Sequence, residues 1–329
     1  MKIINSKSDK NNDLIYLDFQ STTPVDSRVL EKMLPFYNKY FANPHSSEHL
    51  MGRYVEKAVE ESRKKIANLI GANSNEIIFT SGATESNNIA IKGVSRFYKK
   101  LGKNEIITLP TEHKCVLESV LSLKEEGFKI NILPVKSDGL IDLDMFKRYI
   151  NKNTALVSIM TVNNEIGVIQ PINKIGKICK EMNVIFHTDA AQAAGKINLD
   201  VNDLNVDLMS LSSHKMYGPK GIGSLYIRRR PRVRLNPIFS GGQQERGIRS
   251  GTLPAQLCVG FGMAAEIASK EIIKDAEKIL VLSKKFLNTL NDLGVSYKIN
   301  GSTSSRWVGN LNLMFKGINS EKLLNKLEN

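Results

Sequence analysis

The chain has 329 residues, 41% of them hydrophobic, so it can fill a substantial core, and its length predicts one large domain with a smaller companion. Its net charge is +13, but the basic residues are dispersed and the densest cluster, 228–234, lacks aromatic residues for base stacking, which favours a solvated face or an acidic protein partner over nucleic acid. No apolar run reaches the roughly 18 residues that cross a bilayer. The three cysteines are too few and too scattered for a disulfide framework or a metal cage. This cysteine usage indicates a reducing compartment, the cytoplasm.

Short apolar runs alternate with segments of helical period along most of the chain. The polar start at 1–12 lacks the pattern of a targeting peptide. Strands are predicted at 77–80, 106–109, 130–133, 155–160, 184–189, 207–210 and 224–227, and helices at 87–101, 114–126 and 172–182. This alternation predicts an α/β fold with a mostly parallel sheet that is covered by helices on both faces.

The pattern changes after residue 252. A long helix predicted over 256–293 leads to strand-like runs at 295–299 and 308–315, and then to a helix that begins at Ser320. The sequence therefore predicts a large domain over 23–262 and a smaller α+β domain formed by 1–22 and 263–329.

Polar residues follow several of the predicted strands. The small-residue turn at 81–84 opens a helix, so its free backbone N–H groups and the Thr84 hydroxyl form a candidate phosphate site, although an ordinary helix cap has the same pattern. His113 follows the next strand, where a structural hydrogen bond is the commoner role of a single histidine. Asn164 and Asp189 follow or end two more strands. Such strand ends share the edge of the sheet where open α/β proteins bind ligands.

Lys215 is the most informative residue of the chain. It lies in the run 212–223, Ser-Ser-His-Lys followed by a glycine-rich turn, and it comes later in the chain than the strand-end Asp189. A lysine nucleophile needs a lowered ammonium pKa, which a closed pocket with neighbouring positive charge provides. An aspartate and a lysine in this arrangement suit pyridoxal 5'-phosphate (PLP), whose ring nitrogen must stay protonated and whose aldehyde needs an amine.

Eight runs of the chain resemble motifs of the cysteine desulfurases of iron–sulfur cluster assembly, in the class-V aminotransferase group. These runs are 16–18, 22–26, 79–88, 111–114, 163–167, 189–192, 212–223 and 247–252. The resemblance extends from about Tyr16 to the last residue. It implies the fold type I architecture of PLP-dependent transferases, a homodimer, and removal of sulfur from L-cysteine to give L-alanine. The sulfur would pass as a persulfide to an iron–sulfur scaffold or another acceptor protein.

The resemblance also implies roles around the cofactor ring. Lys215 would form the Schiff base with PLP and later abstract the substrate Cα proton, while Asp189 would pair with the pyridine nitrogen. Gln192 would hydrogen-bond the ring hydroxyl, and His113 would stack on the ring and handle protons. Asn164 would contact the cofactor or the substrate.

A second set of residues would bind the cofactor phosphate. The resemblance assigns this role to Ala83, Thr84, Ser212 and His214, with Thr252 reaching the phosphate from the other subunit. No residue is assigned to a metal.

The sulfur-accepting cysteine is the main family feature without a match; Gln244 and Thr161 also stand where family members often or sometimes carry a histidine, and neither touches an assigned catalytic role. In the family it lies in a Ser-Ser-Gly-x-Ala-Cys-type motif on a small-domain loop, which would begin at about Asn329, and the arginine that binds the substrate carboxylate lies later still. Cys115 follows His113 by two residues at a helix start, an offset that predicts that it points away from the histidine. Cys115, Cys179 and Cys258 are all predicted to be buried structural thiols.

Two alternatives to a desulfurase therefore stay open. The first is a non-catalytic PLP-binding remnant or scaffold. The second is another class-V PLP enzyme, such as a selenocysteine lyase, which needs no cysteine nucleophile at the same place.

Overall fold

The structure, a computed structural model, describes residues 15–327, so the predicted non-targeting start at 1–12 lies outside the described residues. The helices are α1 (Ser27–Met33), α2 (Pro35–Asn38), α3 (Leu50–Leu69), α4 (Ala83–Lys99), α5 (Lys114–Ser122), α6 (Leu143–Tyr149), α7 (Ile172–Glu181), α8 (Ala255–Asp292) and α9 (Ser320–Lys326). The strands are β1 (Ile77–Thr80), β2 (Glu105–Thr108), β3 (Lys129–Ile132), β4 (Thr154–Ser158), β5 (Ile185–Asp189), β6 (Leu208–Ser212), β7 (Gly223–Ile227), β8 (Lys298–Ile299) and β9 (Leu313–Met314). Within residues 15–327, no helix combines the length and the apolar character that spanning a bilayer requires.

Strands β1 to β7 form one sheet in the order β1-β7-β6-β5-β4-β2-β3. The five strands β6, β5, β4, β2 and β3 are parallel to one another. Strand β7 is antiparallel to both β6 and β1. The predicted α/β fold with a mostly parallel sheet is therefore confirmed.

The two faces of the sheet are covered by different hydrophobic clusters. Neighbouring residues of a strand alternate between the two clusters. In β2, Ile107 belongs to the larger cluster and Ile106 to the smaller, and in β4, Val157 belongs to the larger and Leu156 to the smaller. Helices α3, α7 and the start of α8 contribute to the larger cluster, and α4 and α5 contribute to the smaller. Because both faces are covered, the strands are apolar on both sides, which is why they appear as continuous apolar runs in the sequence.

Helix α8 is continuous over 38 residues, where the sequence predicted one long helix with nearly the same ends. Its buried residues all lie between Ala255 and Ala265, where it packs along α3. The contact is close, because a Cβ on Gly262 would lie 2.5 Å from the Cβ of Ser62. The rest of α8 extends away from this contact with Ile273, Val281 and other apolar side chains exposed.

The segment after α8 has less regular structure than the sequence predicted. Strands β8 and β9 pair antiparallel over two residues each, whereas the apolar pattern predicted strands at 295–299 and 308–315. A strand needs a hydrogen-bonded neighbour for each residue, and most of these residues have none in a sheet of two strands. The division into domains at 22/23 and 262/263 stays a prediction.

Candidate active site

Strands β1, β2, β4, β5 and β6 run in one direction, so the loops at their carboxyl ends meet along one edge of the sheet. A cleft of about 920 Å³ lies there. It is lined by all but one of the residues that the sequence predicted for the site: Ala83, Thr84, His113, Asn164, Asp189, Gln192, Ser212, His214 and Lys215. The exception, Thr252, is exposed and lies outside the lining of the cleft.

Asp189 is the last residue of β5, and its carboxyl group is held on both sides. Oδ1 accepts a hydrogen bond from the backbone N–H of Ala191 at 2.9 Å, and Oδ2 accepts one from Nδ2 of Asn87 at 2.7 Å. Burial raises the pKa of Asp189, while these two donors and the nearby His113 and Lys215 oppose the rise. The donors to both oxygens favour the carboxylate form. Asn87, on the buried face of α4, was not predicted as a site residue.

Lys215 ends a short helical turn, 213–215, that follows β6 directly. Its Nζ donates to the backbone carbonyl oxygens of Gln20 and Ser21, at 2.5 and 2.7 Å. Burial lowers the pKa of Lys215, and the carboxylates of Asp18 and Asp189 oppose this effect. The amine therefore lies in the surroundings that a lysine nucleophile requires, although its direct partners are carbonyl groups of the chain's amino-terminal segment.

Gln192 joins the same segment to a partly buried lysine. Its Nε2 donates to the carbonyl oxygen of Gln20 at 2.8 Å, and its Oε1 accepts from Nζ of Lys196 at 2.6 Å. Burial, and then the charge of Lys215, lower the pKa of Lys196 to about 8. Gln20 is fixed in turn, because its Oε1 accepts from Nδ2 of Asn310 at 2.6 Å. Gln20, Lys196 and Asn310 were not predicted as site residues, and no local sequence pattern connects them.

The start of α4 forms one wall of the cleft. Gly82 is the N-cap residue, and within residues 15–327 no side chain caps this end, so N–H groups of the first turn are free of a side-chain partner. The loop approaches the start of β7 closely, since a Cβ on Gly223 would lie 2.7 Å from Gly82 atoms. A negatively charged group could bind here, because free amides and the helix dipole favour anions.

Two groups near this helix start have perturbed pKa values. Burial, together with the charges of Lys215 and Lys220, lowers the pKa of His214 to about 4, and its Nδ1 lies 3.0 Å from the Thr22 hydroxyl. Burial would raise the pKa of Glu85, but hydrogen bonds from Arg249 and Ser81 outweigh it and hold that pKa below its usual value. His214 is therefore a neutral imidazole at neutral pH, and Arg249 compensates the charge of Glu85.

The prediction for Cys115 is wrong. Its Sγ lies 3.0 Å from Nδ1 of His113 and it lines the cleft. The helical spacing rule does not apply, because His113 is the N-cap of α5 and has an extended backbone. Its ring turns back over the first turn to accept from the Cys115 backbone N–H at 3.2 Å. For Cys179 and Cys258 the predicted burial is confirmed.

The chain matches the model of the class-V aminotransferase family over residues 15–329. It is 57% identical over 310 residues to a probable mitochondrial cysteine desulfurase of Dictyostelium discoideum, covering 94% of this chain and 69% of that protein. It is 54% identical over 310 residues to the cysteine desulfurase IscS of Rickettsia massiliae, covering 94% of this chain and 75% of that protein.

Solved structures agree with these relatives. A NifS-like protein superposes with a TM-score of 0.90 at 40% identity, over 95% of this chain and 85% of that one. A structure of SspA in complex with cysteine superposes with a TM-score of 0.85 at 39% identity, over 95% and 87%. With its cleft at the expected sheet edge, the chain belongs to the cysteine desulfurases of the class-V aminotransferase family.

Proposed function

We propose that this chain is a PLP-dependent cysteine desulfurase that acts on L-cysteine and passes its sulfur on as a persulfide. The observation that carries the proposal is the cleft in which a partly buried amine, Lys215, shares one cavity with the carboxylate of Asp189 and the uncapped start of α4. The relatives named cysteine desulfurases at 54–57% identity support the choice of reaction. The related SspA structure, a complex with cysteine, supports the choice of substrate.

The cleft fits PLP because it holds a partner for each part of the cofactor. A phosphate would bind at the start of α4, to the first-turn N–H groups of Ala83 and Thr84 and to the side chains of Ser212 and His214. Asp189, acceptor of two N–H groups on its protein side, would hold a proton on the pyridine nitrogen. Bound PLP would supply an aldehyde that takes up amines and a protonated ring that accepts the electron pair from the substrate Cα.

The chain's own residues would bind the substrate and move its protons. Lys215 would hold the aldehyde carbon through Nζ and, once the substrate amine has displaced it, would accept the Cα proton at that atom. Its pKa is lowered by burial, so the neutral amine needed for both steps is easier to reach. Gln192 would bind the ring hydroxyl, His113 would lie against the ring and handle protons, and Asn164 would contact the cofactor or substrate.

The complete reaction also requires a thiolate that attacks the substrate sulfur. An acceptor thiol and L-cysteine would give a persulfide and L-alanine: the Cβ–S bond breaks and an S–S bond forms, so the two sulfurs are oxidised by one electron each while the substrate Cβ is reduced by two and gains a proton. Burial raises the pKa of the thiols of Cys179 and Cys258, and both are buried. Burial, and then the charge of Asp189, raise the pKa of Cys115 to about 11. None of these thiols is suited to be the acceptor.

Thr252 would complete the phosphate site of a second copy of this chain. It is exposed in a loop, 247–252, outside its own cleft, which suits a contact across a two-fold axis. Sedimentation that shows only monomer at micromolar concentration would remove this role. Sulfur-acceptor proteins are the further partners, and a cytoplasmic setting follows from the cysteine usage, although one relative is named mitochondrial.

Deuterium exchange at the Cα of L-cysteine tests the proposal without an acceptor thiol. We expect the 329-residue chain, loaded with PLP in D₂O, to exchange this proton, and Lys215→Ala to lose the exchange while the exposed-lysine variant Lys285→Ala keeps it. Alanine release with a reductant present should be several orders of magnitude below that of a desulfurase with its nucleophile.

Other outcomes lead to different conclusions. A folded, PLP-loaded wild type without exchange would contradict the enzyme and support a scaffold. Alanine release at the rate of a complete desulfurase would place the nucleophile among the three cysteines, beginning with a test of Cys115→Ser. A strong preference for L-selenocysteine would support a selenocysteine lyase.

A further inference from the structure

A continuous chain of hydrogen bonds links two titratable groups that line the cleft, His113 and Asp189. Nδ2 of Asn87 lies 2.7 Å from Oδ2 of Asp189 and 3.1 Å from Sγ of Cys115. The same Sγ lies 3.0 Å from Nδ1 of His113. The thiol thus bridges the imidazole and the amide that binds Asp189.

The direction of each hydrogen bond follows from the donors. The backbone N–H of Cys115 points at Nδ1 of His113 at 3.2 Å, so Nδ1 carries a lone pair and no proton. The thiol must then donate its hydrogen to Nδ1, since a sulfur lone pair would face a nitrogen lone pair. The two hydrogens of the Asn87 amide are shared between Asp189 and the sulfur.

This pattern fits a neutral thiol and excludes a thiolate nucleophile at this position. A thiolate paired with an imidazolium would need a proton on Nδ1, where the backbone N–H already points. Burial also raises the pKa of Cys115 to about 11, with the charge of Asp189 adding to the rise, so the S–H group persists at neutral pH. The thiol is therefore a donor toward His113 and an acceptor from Asn87.

Resting on the proposed function, we propose that Cys115 is a positioning residue, which joins His113 to Asp189 through Asn87 and holds the imidazole with its proton on Nε2. Nε2 is then the polar atom that His113 offers to the cleft, and it starts as an N–H donor. His113 consequently enters the reaction as a hydrogen-bond donor through Nε2, and it cannot accept a proton at that atom while the Nε2–H is in place.

Nuclear magnetic resonance of the full chain with ¹⁵N-labelled histidine tests this arrangement directly. The chain has five histidines, and the His113 signals are identified by their loss in His113→Gln. We expect an unprotonated Nδ1 and a protonated Nε2 at neutral pH, in the chain with and without PLP. In Cys115→Ala the Nδ1 shift should change because a donor is lost, and Cys115→Ser should restore it with its hydroxyl.

Cys179→Ala is the matched control, because it removes a buried thiol of α7, which lies outside the lining of the cleft. It should leave the His113 signals unchanged. In the PLP-loaded chain, Cys115→Ala should lower Cα exchange about fivefold, the value of one neutral hydrogen bond, and Cys115→Ser should recover most of it.

A protonated Nδ1 in the wild type, or a Nδ1 shift that is the same in wild type and Cys115→Ala, would overturn the proposal. If Cys115→Ala does not fold, the wild-type spectrum and Cys115→Ser still decide it, since a Nδ1 without its proton and a hydroxyl-bonded Nδ1 in the serine variant are both required. The imidazole spectrum of the PLP-free chain does not depend on catalysis. A failure of PLP binding is therefore separate from a failure of the hydrogen-bond chain.

Discussion

The sheet region, residues 77–265, and the C-terminal region, residues 293–327, bury their side chains to very different extents. Every residue of β1, β2, β4, β6 and β7 is buried. In the C-terminal region α9 has no buried residue, and Leu324 and Leu327 are 66% and 70% exposed. Local stability follows buried contacts, so the two regions should open at different free energies.

Hydrogen bonds at the rim of the cleft connect the two regions. The backbone N–H of Trp307 donates to the Gly167 carbonyl at 2.8 Å, and Nδ2 of Asn310 donates to the Glu165 carbonyl at 3.1 Å. Nδ2 of Asn310 also donates to Gln20, in the amino-terminal segment, at 2.6 Å. The groups proposed to bind PLP lie in the sheet region. Cofactor binding should therefore depend mainly on the sheet region, and the C-terminal region should act on the rim.

The largest effect is expected at Lys215. If the sheet region alone supplies the amine for PLP, Lys215→Ala abolishes covalent attachment. Borohydride reduction followed by mass spectrometry measures the adduct, with Lys285→Ala, an exposed lysine of α8, as the control that retains it. An undiminished adduct in Lys215→Ala, for instance on Lys196, would show that the amine was assigned to the wrong residue.

The next largest effect concerns the buried ion pair that holds the loop 241–252 against β1. Glu245 accepts from Arg63 at 2.7 and 2.8 Å and from the Phe79 backbone N–H at 2.6 Å, and both charged side chains are at most 5% exposed. Glu245→Ala removes the buried partner of Arg63 and leaves only the more exposed carboxylate of Glu60, at 3.0 Å from Nε, which should lower the free energy of unfolding by about 3 kcal/mol.

Urea unfolding measures this difference. Glu271→Ala is the matched control, because it breaks the exposed pair with Arg28 and should cost less than about 1 kcal/mol. Equal losses in the two variants would mean that breaking a buried ion pair costs the protein no more stability than breaking an exposed one.

The sequence predicted most of the sheet region because its signals are local. Buried strands leave continuous apolar runs, and the direction of parallel strands brings Asp189, His113 and Lys215 to one edge wherever the helices between them pack. It missed Gln20 and Asn310, whose contact joins residues 290 positions apart and leaves no periodic pattern. It misplaced Cys115 because a helix rule was applied to His113, which lies before the helix.

The C-terminal region was predicted less well for a related reason. An apolar run such as 308–315 predicts a strand only if neighbouring strands pair with it, and here only Leu313 and Met314 are paired. The apolar pattern of a segment does not show how many neighbouring strands are present to pair with it.

A third effect concerns pH and the centre of the sheet. His187 is fully buried between the hydroxyls of Ser158 and Ser210, at 2.8 and 3.0 Å, and burial lowers its pKa from 6.5 to about 3. The unfolded chain binds this proton below pH 6.5 and the folded chain does not until about pH 3. The contribution of the neutral His187 to the free energy of unfolding is therefore fully present above pH 6.5. It is lost as the pH falls toward 3, by up to about 1.4 kcal/mol per pH unit.

His187→Asn should flatten this slope between about pH 6 and 4, whereas His45→Asn, a change at an exposed histidine, should leave it unchanged. Urea unfolding at a series of pH values provides the measurement. The same slope in His187→Asn as in the wild type would mean that the acid sensitivity of the sheet region arises elsewhere.

The smallest effect tests whether the C-terminal region opens first. Trp307 is the single tryptophan of the chain and is 8% exposed, so its fluorescence reports on this region, while far-ultraviolet circular dichroism reports mainly on the helices and strands of the rest. A difference of about 1–2 kcal/mol in local stability corresponds to about 0.5–1 M urea. We expect the fluorescence midpoint to precede the dichroism midpoint by that amount.

Two variants test the contacts at the rim of the cleft. Asn310→Ala removes the contacts with Gln20 and Glu165 and should widen the gap between the two midpoints. Asn300→Ala removes a hydrogen bond to Asn312 inside the C-terminal region and should leave the contact with the sheet region intact. Coincident midpoints in all three proteins would mean that the two regions unfold as one unit despite their different burial.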